Sequence, residues 1–410
     1  MSCWPCSGPY TGGEDVDLTI CPGPLHGTVT PPASKSQAHR AVLALALSGG
    51  TGTLSNLSPS QDIQATERCT AALKSGQPAG GDGLPVLDCG ESGSTLRFLI
   101  PLSLVLRGGG HFTGRGRLME RPQAPYFDLF REKEIFYEQR DGVLTLQGRL
   151  KPGTYSLPGN VSSQFVTGLL YALPLLEGDS EIRLTTPLES RGYVDMTLDV
   201  LDKFGVTAEP REDGFHVPGS QRYQARDLTI EGDWSQAAFW YAANFMGGEV
   251  DIRGLDPDSS QGDKAVALDY WKLARPGDVE LDVSQCPDLV PPLAAMSAVR
   301  RGETRLVNAA RLRMKESDRL SSVAAALTAM GAWVEEGTDS LTLRGRGQLP
   351  GGGTVDCRND HRIAMMAAVT ASFCRQPVQL LGAECVDKSY PDFWNHFIQL
   401  GGKAHGLVLR

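Results

Sequence analysis

The chain has 410 residues, 41% hydrophobic and 21% charged, a composition that supports two domains of ordinary size with substantial cores and excludes a disordered or fibrous protein. Its 48 Asp and Glu exceed its 39 Lys and Arg, and the net charge of −9 excludes binding of nucleic acid through a basic surface. Apolar runs such as residues 41–47 fall far short of the roughly 20 residues that span a membrane, and residues 1–13 show no signal or transit pattern, so a cytoplasmic protein is expected.

One pattern recurs six times along the chain, starting near residues 28, 86, 156, 228, 281 and 355: a short strand, a polar turn, an apolar helix, a Gly-containing turn and another strand. Each of these helices is expected to open on Ser, Asp or Asn, residues that cap a helix start, and each is apolar nearly all round, as a helix buried inside a domain is. Free N–H groups carry partial positive charge at such starts, so several together suit an anionic small molecule.

Before the first copy, Cys3 and Cys6 have metal-ligand spacing, but no second pair completes a tetrahedral set and no metal is assigned. The nine cysteines are otherwise scattered singly, which points to reduced thiols. The first copy carries Lys35, Ser36 and Arg40 at its helix start; alone, this motif reads as a solvated face. An amphipathic helix is expected over residues 63–73. The second copy, Gly90 to Arg97, resembles a phosphate loop without the Walker ending or the dinucleotide glycine spacing. A loop then ends on Arg121 and Pro122.

The third copy places Ser162, Ser163 and Gln164, three neutral donors, at its helix start, and an amphipathic segment follows at residues 194–204. The fourth opens with Asp233-Trp234-Ser235-Gln236 and the fifth with Pro287-Asp288-Leu289. Between the fifth and sixth lies the densest charged run, Arg311 to Arg319, in which Ser317 or Asp318 can cap the next helix over residues 318–330. Mutual proximity and burial of Lys315, Glu316 and Arg319 can tune a carboxylate for proton transfer. Asn359-Asp360-His361-Arg362 heads the sixth helix, and Lys388 to Asp392 forms the last turn motif.

Taken in order, SKSQAHR, GESGSTLR, LMERP, VSSQF, GYVDMTL, EGDWSQAA, PDL, RMKESDR, NDHR and KSYPDF resemble the 5-enolpyruvylshikimate-3-phosphate synthase family over about residues 20 to 400. The resemblance implies a two-domain inside-out α/β barrel of six βαβαββ-like repeats, three per domain. Residues 1–33 plus 229–410 would form one domain and 34–228 the other, with the active site in the cleft between them. The implied reaction moves the enolpyruvyl group of phosphoenolpyruvate to the 5-hydroxyl of shikimate 3-phosphate, with no cofactor and no metal. The expected partners are these two small molecules only, neither nucleic acid nor membrane, and the protein is expected to be a monomer.

By the same resemblance, Lys35, Ser36, Arg40, Ser162, Ser163, Gln164, Ser190, Tyr193, Asp288 and Lys315 hold shikimate 3-phosphate. Lys35, Gly93, Arg121, Gln164, Arg319, Arg362 and Lys388 hold phosphoenolpyruvate, whose position the inhibitor glyphosate takes. Glu316 is implied to handle the proton at carbon, Asp288 the hydroxyl proton and Lys35 the developing charge, with His361 in support. Three positions depart from the family's common pattern: Glu91 and Arg311 where Asn is frequent, and Phe98 where Pro is frequent, with a reshaped helix start expected from the last. A UDP-N-acetylglucosamine enolpyruvyl transferase of the same fold remains an alternative, although residues 111–122 lack its reactive cysteine. So does a noncatalytic anion-binding protein.

Overall fold

Polar residues followed by long apolar runs set the helix starts, and the structure shows which of them work as caps. The computed structural model describes residues 17–345 and 347–406, so Cys3 and Cys6 lie outside the described residues. The chain divides into two compact units. An inserted unit comprises Ala33–Ile230 with Ser260–Gly262; a discontinuous unit takes the segment up to Pro32, Glu231–Ser259 and the chain from Asp263 onward.

The inserted unit contains α1 (Lys35–Ser48), α2 (Gln61–Ser75), α3 (Gly93–Leu106), α4 (Ala124–Glu132), α5 (Ser163–Ala172) and α6 (Arg191–Lys203). The discontinuous unit contains α7 (Trp234–Phe245), α8 (Val266–Ala274), α9 (Val290–Val299), α10 (Arg319–Ala329), α11 (His361–Ser372) and α12 (Phe393–Gln399). No described helix is long and apolar enough to cross a membrane.

The six repeated helices are α1, α3, α5, α7, α9 and α11. Ser34, Ser92, Ser162, Asp233 and Asp360 cap five of them, each accepting a backbone N–H two or three residues on at 3.0 to 3.4 Å. The remaining one, in the fifth copy, departs from expectation. Helix α9 follows Leu289 with no side-chain cap, because Pro291 and Pro292 occupy the positions whose N–H groups a cap would bind. It is entered instead through a 3-10 turn over Pro287–Leu289. Phe98 does not reshape its helix start either: α3 begins at Gly93 behind the Ser92 cap, and Phe98 is fully buried one turn in.

Apolar side chains all round these helices demand burial on every face. In α11 every residue from His361 to Ser372 is buried. Helices α7, α9 and α11 pack against one another at the centre of one core, while α3 packs closely on α5 in the other. Gly168 permits that last approach, since a side chain there would stand 2.2 Å from Tyr126 Oη and 2.5 Å from Arg97 O.

Four of the copies form four-stranded sheets of one topology, three of them by completing the βαβαββ order within their own segment. Each sheet begins with a parallel pair and continues with two antiparallel pairings, as in Val86–Asp88, Gly109–Thr113, Val143–Gln147 and Phe136–Arg140. The first and fourth copies exchange strands instead: His26–Val29 pairs with Glu249–Ile252, and Leu54–Ser55 with Leu228–Thr229, both parallel. The last sheet is completed by the N-terminal strand Leu18–Cys21, which lies between Val378–Leu381 and Lys403–His405.

Candidate active site

Helix starts carry most of the site residues, because that is where the repeat places its polar turn. In the inserted unit Lys35 is the first residue of α1, and its Nζ lies 2.8 Å from Asp62 Oδ2 in the first turn of α2. One turn on, Arg40 is buried and donates to Thr197 Oγ1 at 2.8 Å, the Tyr193 carbonyl at 2.8 Å and the Ser36 carbonyl at 2.7 Å. Burial pulls its pKa down to about 10, against upward effects of Tyr171 and Tyr193, so it stays charged at neutral pH.

Gln164, in the first turn of α5, accepts from Arg97 Nη1 at 2.8 Å and donates to Ser94 Oγ at 3.0 Å. Gly93 opens α3, and a side chain there would stand 2.8 Å from Arg121 Nη1 and 3.7 Å from Gln164 Oε1. Gly93, Arg121 and Gln164 therefore share one small region. Ser162 caps α5 and Ser163 begins it. Ser190 precedes α6 in a left-handed conformation with φ of 54°, and its carbonyl accepts the Tyr193 N–H at 3.1 Å.

In the discontinuous unit Asp288, Lys315, Glu316, Arg319 and Arg362 form one ionic cluster with Asp360. Arg319 is 1% exposed and binds three carboxylates: Asp360 through Nε at 2.9 Å, Asp288 through Nη1 at 2.9 Å, and Glu316 through Nη2 in a very short contact. Asp288 also meets Lys315 Nζ at 3.2 Å and Arg362 Nη2 at 3.2 Å. Burial alone would push the Asp288 carboxyl up, but Arg362, Lys315 and Arg319 outweigh it and hold the group well below the usual carboxylate range. Burial lowers the Lys315 pKa, with Asp288 opposing. Burial likewise disfavours the Arg319 charge, yet Asp360, Glu316 and Asp288 raise its pKa overall. Lys388 Nζ donates to the Asn359 carbonyl at 2.7 Å, and buried His361 opens α11 beside Arg362.

Sequence reasoning missed several partners. Asp62 holds Lys35 from 27 residues away, and Arg97 and Ser94 fix both ends of the Gln164 amide. Asp360 was legible as a helix cap, but not as the acceptor for Arg319 and Ser317. Of the two candidate caps for α10, Asp318 takes the role, accepting from Ser321 N–H at 3.2 Å, and Ser317 donates to Asp360 at 2.9 Å instead. The three departures have local roles. Arg311 donates to the Ser284 carbonyl, Glu91 packs against Gly116, and Phe98 lies under the Arg40 guanidinium at 5.2 Å. Among the described residues no group of His, Cys, Asp and Glu is placed to hold a metal, and the seven described cysteines are free thiols.

The cluster of the discontinuous unit can bind phosphate and carboxylate groups through forked guanidinium donors, and it keeps the Asp288 carboxylate ionised among them for proton transfer. The family profile for EPSP synthase (3-phosphoshikimate 1-carboxyvinyltransferase) matches residues 21–397. The chain is 44% identical to the 3-phosphoshikimate 1-carboxyvinyltransferase of Clostridium kluyveri, covering 94% of this chain and 97% of that one. It is also 44% identical to that of Clostridium acetobutylicum, over 95% and 98% of the two chains. Its fold is similar to that of an EPSP synthase from Acinetobacter baumannii, with a TM-score of 0.77 at 22% identity over 95% of this chain and 99% of the other. It is similar also to the enolpyruvyl transferase NikO from Streptomyces tendae, with a TM-score of 0.75 at 17% identity over 96% and 99%.

Proposed function

The chain belongs to the EPSP synthase (3-phosphoshikimate 1-carboxyvinyltransferase) family, and from that premise we propose how its own residues divide the work. The enzyme transfers the enolpyruvyl group of phosphoenolpyruvate to the 5-hydroxyl of shikimate 3-phosphate and releases phosphate, a step of the shikimate pathway to aromatic amino acids. The alternative substrate and the noncatalytic reading are not favoured, since the relatives at 44% identity carry the synthase name.

The reaction requires removal of the hydroxyl proton as oxygen bonds to the enol carbon, delivery of a proton to the methylene carbon, and departure of phosphate as a proton is withdrawn again. Asp288 takes the hydroxyl proton and Glu316 serves the carbon. Lys35 neutralises charge that develops on the phosphoenolpyruvate side, with His361 supporting. Ser36, Arg40, Ser162, Ser163, Gln164, Ser190, Tyr193 and Lys315 hold shikimate 3-phosphate with Lys35 and Asp288. Gly93, Arg121, Arg319, Arg362 and Lys388 hold phosphoenolpyruvate with Lys35 and Gln164.

The observation that carries this reading is the cluster in which Asp288 and Glu316 share the buried Arg319. A binding protein has no need of two carboxylates among its anion-binding cations, because they repel the ligand; a proton-transfer enzyme does. The inserted unit carries donors for hydroxyls and phosphate; the discontinuous unit carries the two carboxylates together with Lys315, Arg319, Arg362 and Lys388. We infer that the protein works as a monomer, which light scattering checks. The decisive experiment mixes purified protein with phosphoenolpyruvate and shikimate 3-phosphate and follows phosphate. Release with both substrates and with neither alone is expected; no release with both overturns the reading.

A further inference from the structure

A chain of buried hydrogen bonds runs beneath the proposed phosphoenolpyruvate residues of the inserted unit, and none of the roles above uses it. His39 Nδ1 lies 2.6 Å from Thr66 Oγ1. Thr66 Oγ1 lies 2.6 Å from Thr95 Oγ1, and Thr95 Oγ1 donates to Ser92 Oγ at 2.7 Å. None of the four residues is more than 1% exposed. They join three helices: His39 lies in the second turn of α1, Thr66 in the second turn of α2, Thr95 in the first turn of α3, and Ser92 caps α3.

Each hydroxyl owns one proton, and that fixes the direction of the chain. Thr95 gives its proton to Ser92, so it accepts from Thr66. Thr66 has then used its only proton and accepts in turn, which makes His39 Nδ1–H the donor. The competing acceptor for Thr66, the Asp62 carbonyl, is more distant at 3.3 Å. A neutral His39 protonated on Nδ1 satisfies every step; its Nε2 is buried with no hydrogen-bond partner. Burial, then the like charges of Lys35 and Arg40, favours that neutral ring.

We propose that Thr66 is a positioning residue for phosphoenolpyruvate, whose hydroxyl fixes the start of α3, where Gly93 follows Ser92, against the start of α1, where Lys35 lies one turn before His39. Arg40 separately anchors α1 to Thr197 and to the Tyr193 carbonyl. Helix α3 as a whole stays held to Gln164 through Ser94 and Arg97. Loss of the Thr66 hydroxyl therefore loosens the link between α1 and the Ser92–Gly93 turn, and phosphoenolpyruvate suffers more than shikimate 3-phosphate. The inference rests on the assignment of Lys35 and Gly93 to phosphoenolpyruvate.

Thr66→Val removes the hydroxyl and keeps the shape. KM for phosphoenolpyruvate is expected to rise roughly tenfold, the scale of one lost buried hydrogen bond, with KM for shikimate 3-phosphate changing less than about twofold. Thr66→Ser is expected to restore the parental value. Thr95→Ala cuts the same chain without touching His39; it is expected to show the same split, and it decides the question if Thr66→Val does not fold. An unchanged KM for phosphoenolpyruvate, an equal rise in both KM values, or failure of the serine variant to restore overturns the inference. Lys35→Ala, measured in parallel, separates the two levels. Near-normal kinetics there would remove the site assignment itself, whereas an impaired Lys35→Ala beside an unaffected Thr66→Val removes only the positioning role.

Discussion

Gly93 lacks a side chain where one would collide, since a methyl group there would stand 2.8 Å from Arg121 Nη1. The near atom ends a flexible side chain, so alanine is accommodated by displacing the guanidinium rather than by unfolding the turn. Gly93→Ala is predicted to keep its Tm and to raise KM for phosphoenolpyruvate several-fold. Glyphosate, which the family resemblance puts at the same position, is predicted to lose more affinity than the substrate. Steady-state inhibition of both forms measures this, and an equal loss for substrate and inhibitor would refute the steric account. Asp288 makes a second prediction. In the free protein three cations hold its pKa low, so it is ionised but weakly basic. Anionic substrates that draw Lys315, Arg319 and Arg362 toward themselves reduce that counter-charge, and the Asp288 pKa rises in the complex. The acid limb of kcat is therefore predicted at higher pH than that of kcat/KM. Because the folded pKa is depressed, the stability that Asp288 contributes is present above its unfolded value of about 3.9 and is lost as pH falls through the folded one. Coincident acid limbs would contradict the shift.

Helix starts were legible because capping chemistry is local, confined to a residue and the next two or three. Ser34, Ser92 and Asp233 follow that rule; α9 breaks it because its prolines leave a cap nothing to bind. What the local pattern could not hold is the second use of a cap. Asp360 caps α11 and also accepts from Arg319, 41 residues away, and Ser317, 43 residues away. Pairings at such separations leave no periodic trace in the sequence, which is also why Asp62 escaped notice beside Lys35. The two kinds of cap are expected to differ in energy. Asp318→Ala removes the cap of α10 and a half-buried ion pair to Arg313, and is predicted to cost about 1 kcal/mol. Asp360→Ala removes a cap and strips one partner from a buried guanidinium, and is predicted to cost roughly 3 kcal/mol or more. Urea unfolding of the two variants decides; equal losses would show that Asp288 and Glu316 suffice for Arg319.

At the scale of the molecule the sixfold repeat could be read directly, because each copy restates the same alternation of strand, turn and apolar helix. The strand exchange between the first and fourth copies could not, nor could the closing of the last sheet by Leu18–Cys21, whose Ile20 stands opposite Val378. Register across that distance is set by tertiary packing alone. Charge poses the remaining question, since a chain with a net charge of −9 must bind two anions. The negative field of the whole molecule acts at long range, while the cations proposed for the site, Lys35, Arg40, Arg121, Arg319 and Arg362, would act only within the first few ångströms. Salt separates these ranges: the screening length falls from about 30 Å at 0.01 M to about 10 Å at 0.1 M and about 3 Å at 1 M. The first increase in salt removes mainly repulsion between protein and substrate, and only the later one reaches the attraction at the site. kcat/KM for both substrates is therefore predicted to rise from about 0.01 M salt, pass through a maximum near 0.1 M and fall toward 1 M. A basic binding surface would give a monotonic fall instead. A steady decline from the lowest ionic strength would show that the local cations govern the approach at every distance, and that the overall acidity of the chain has no part in it.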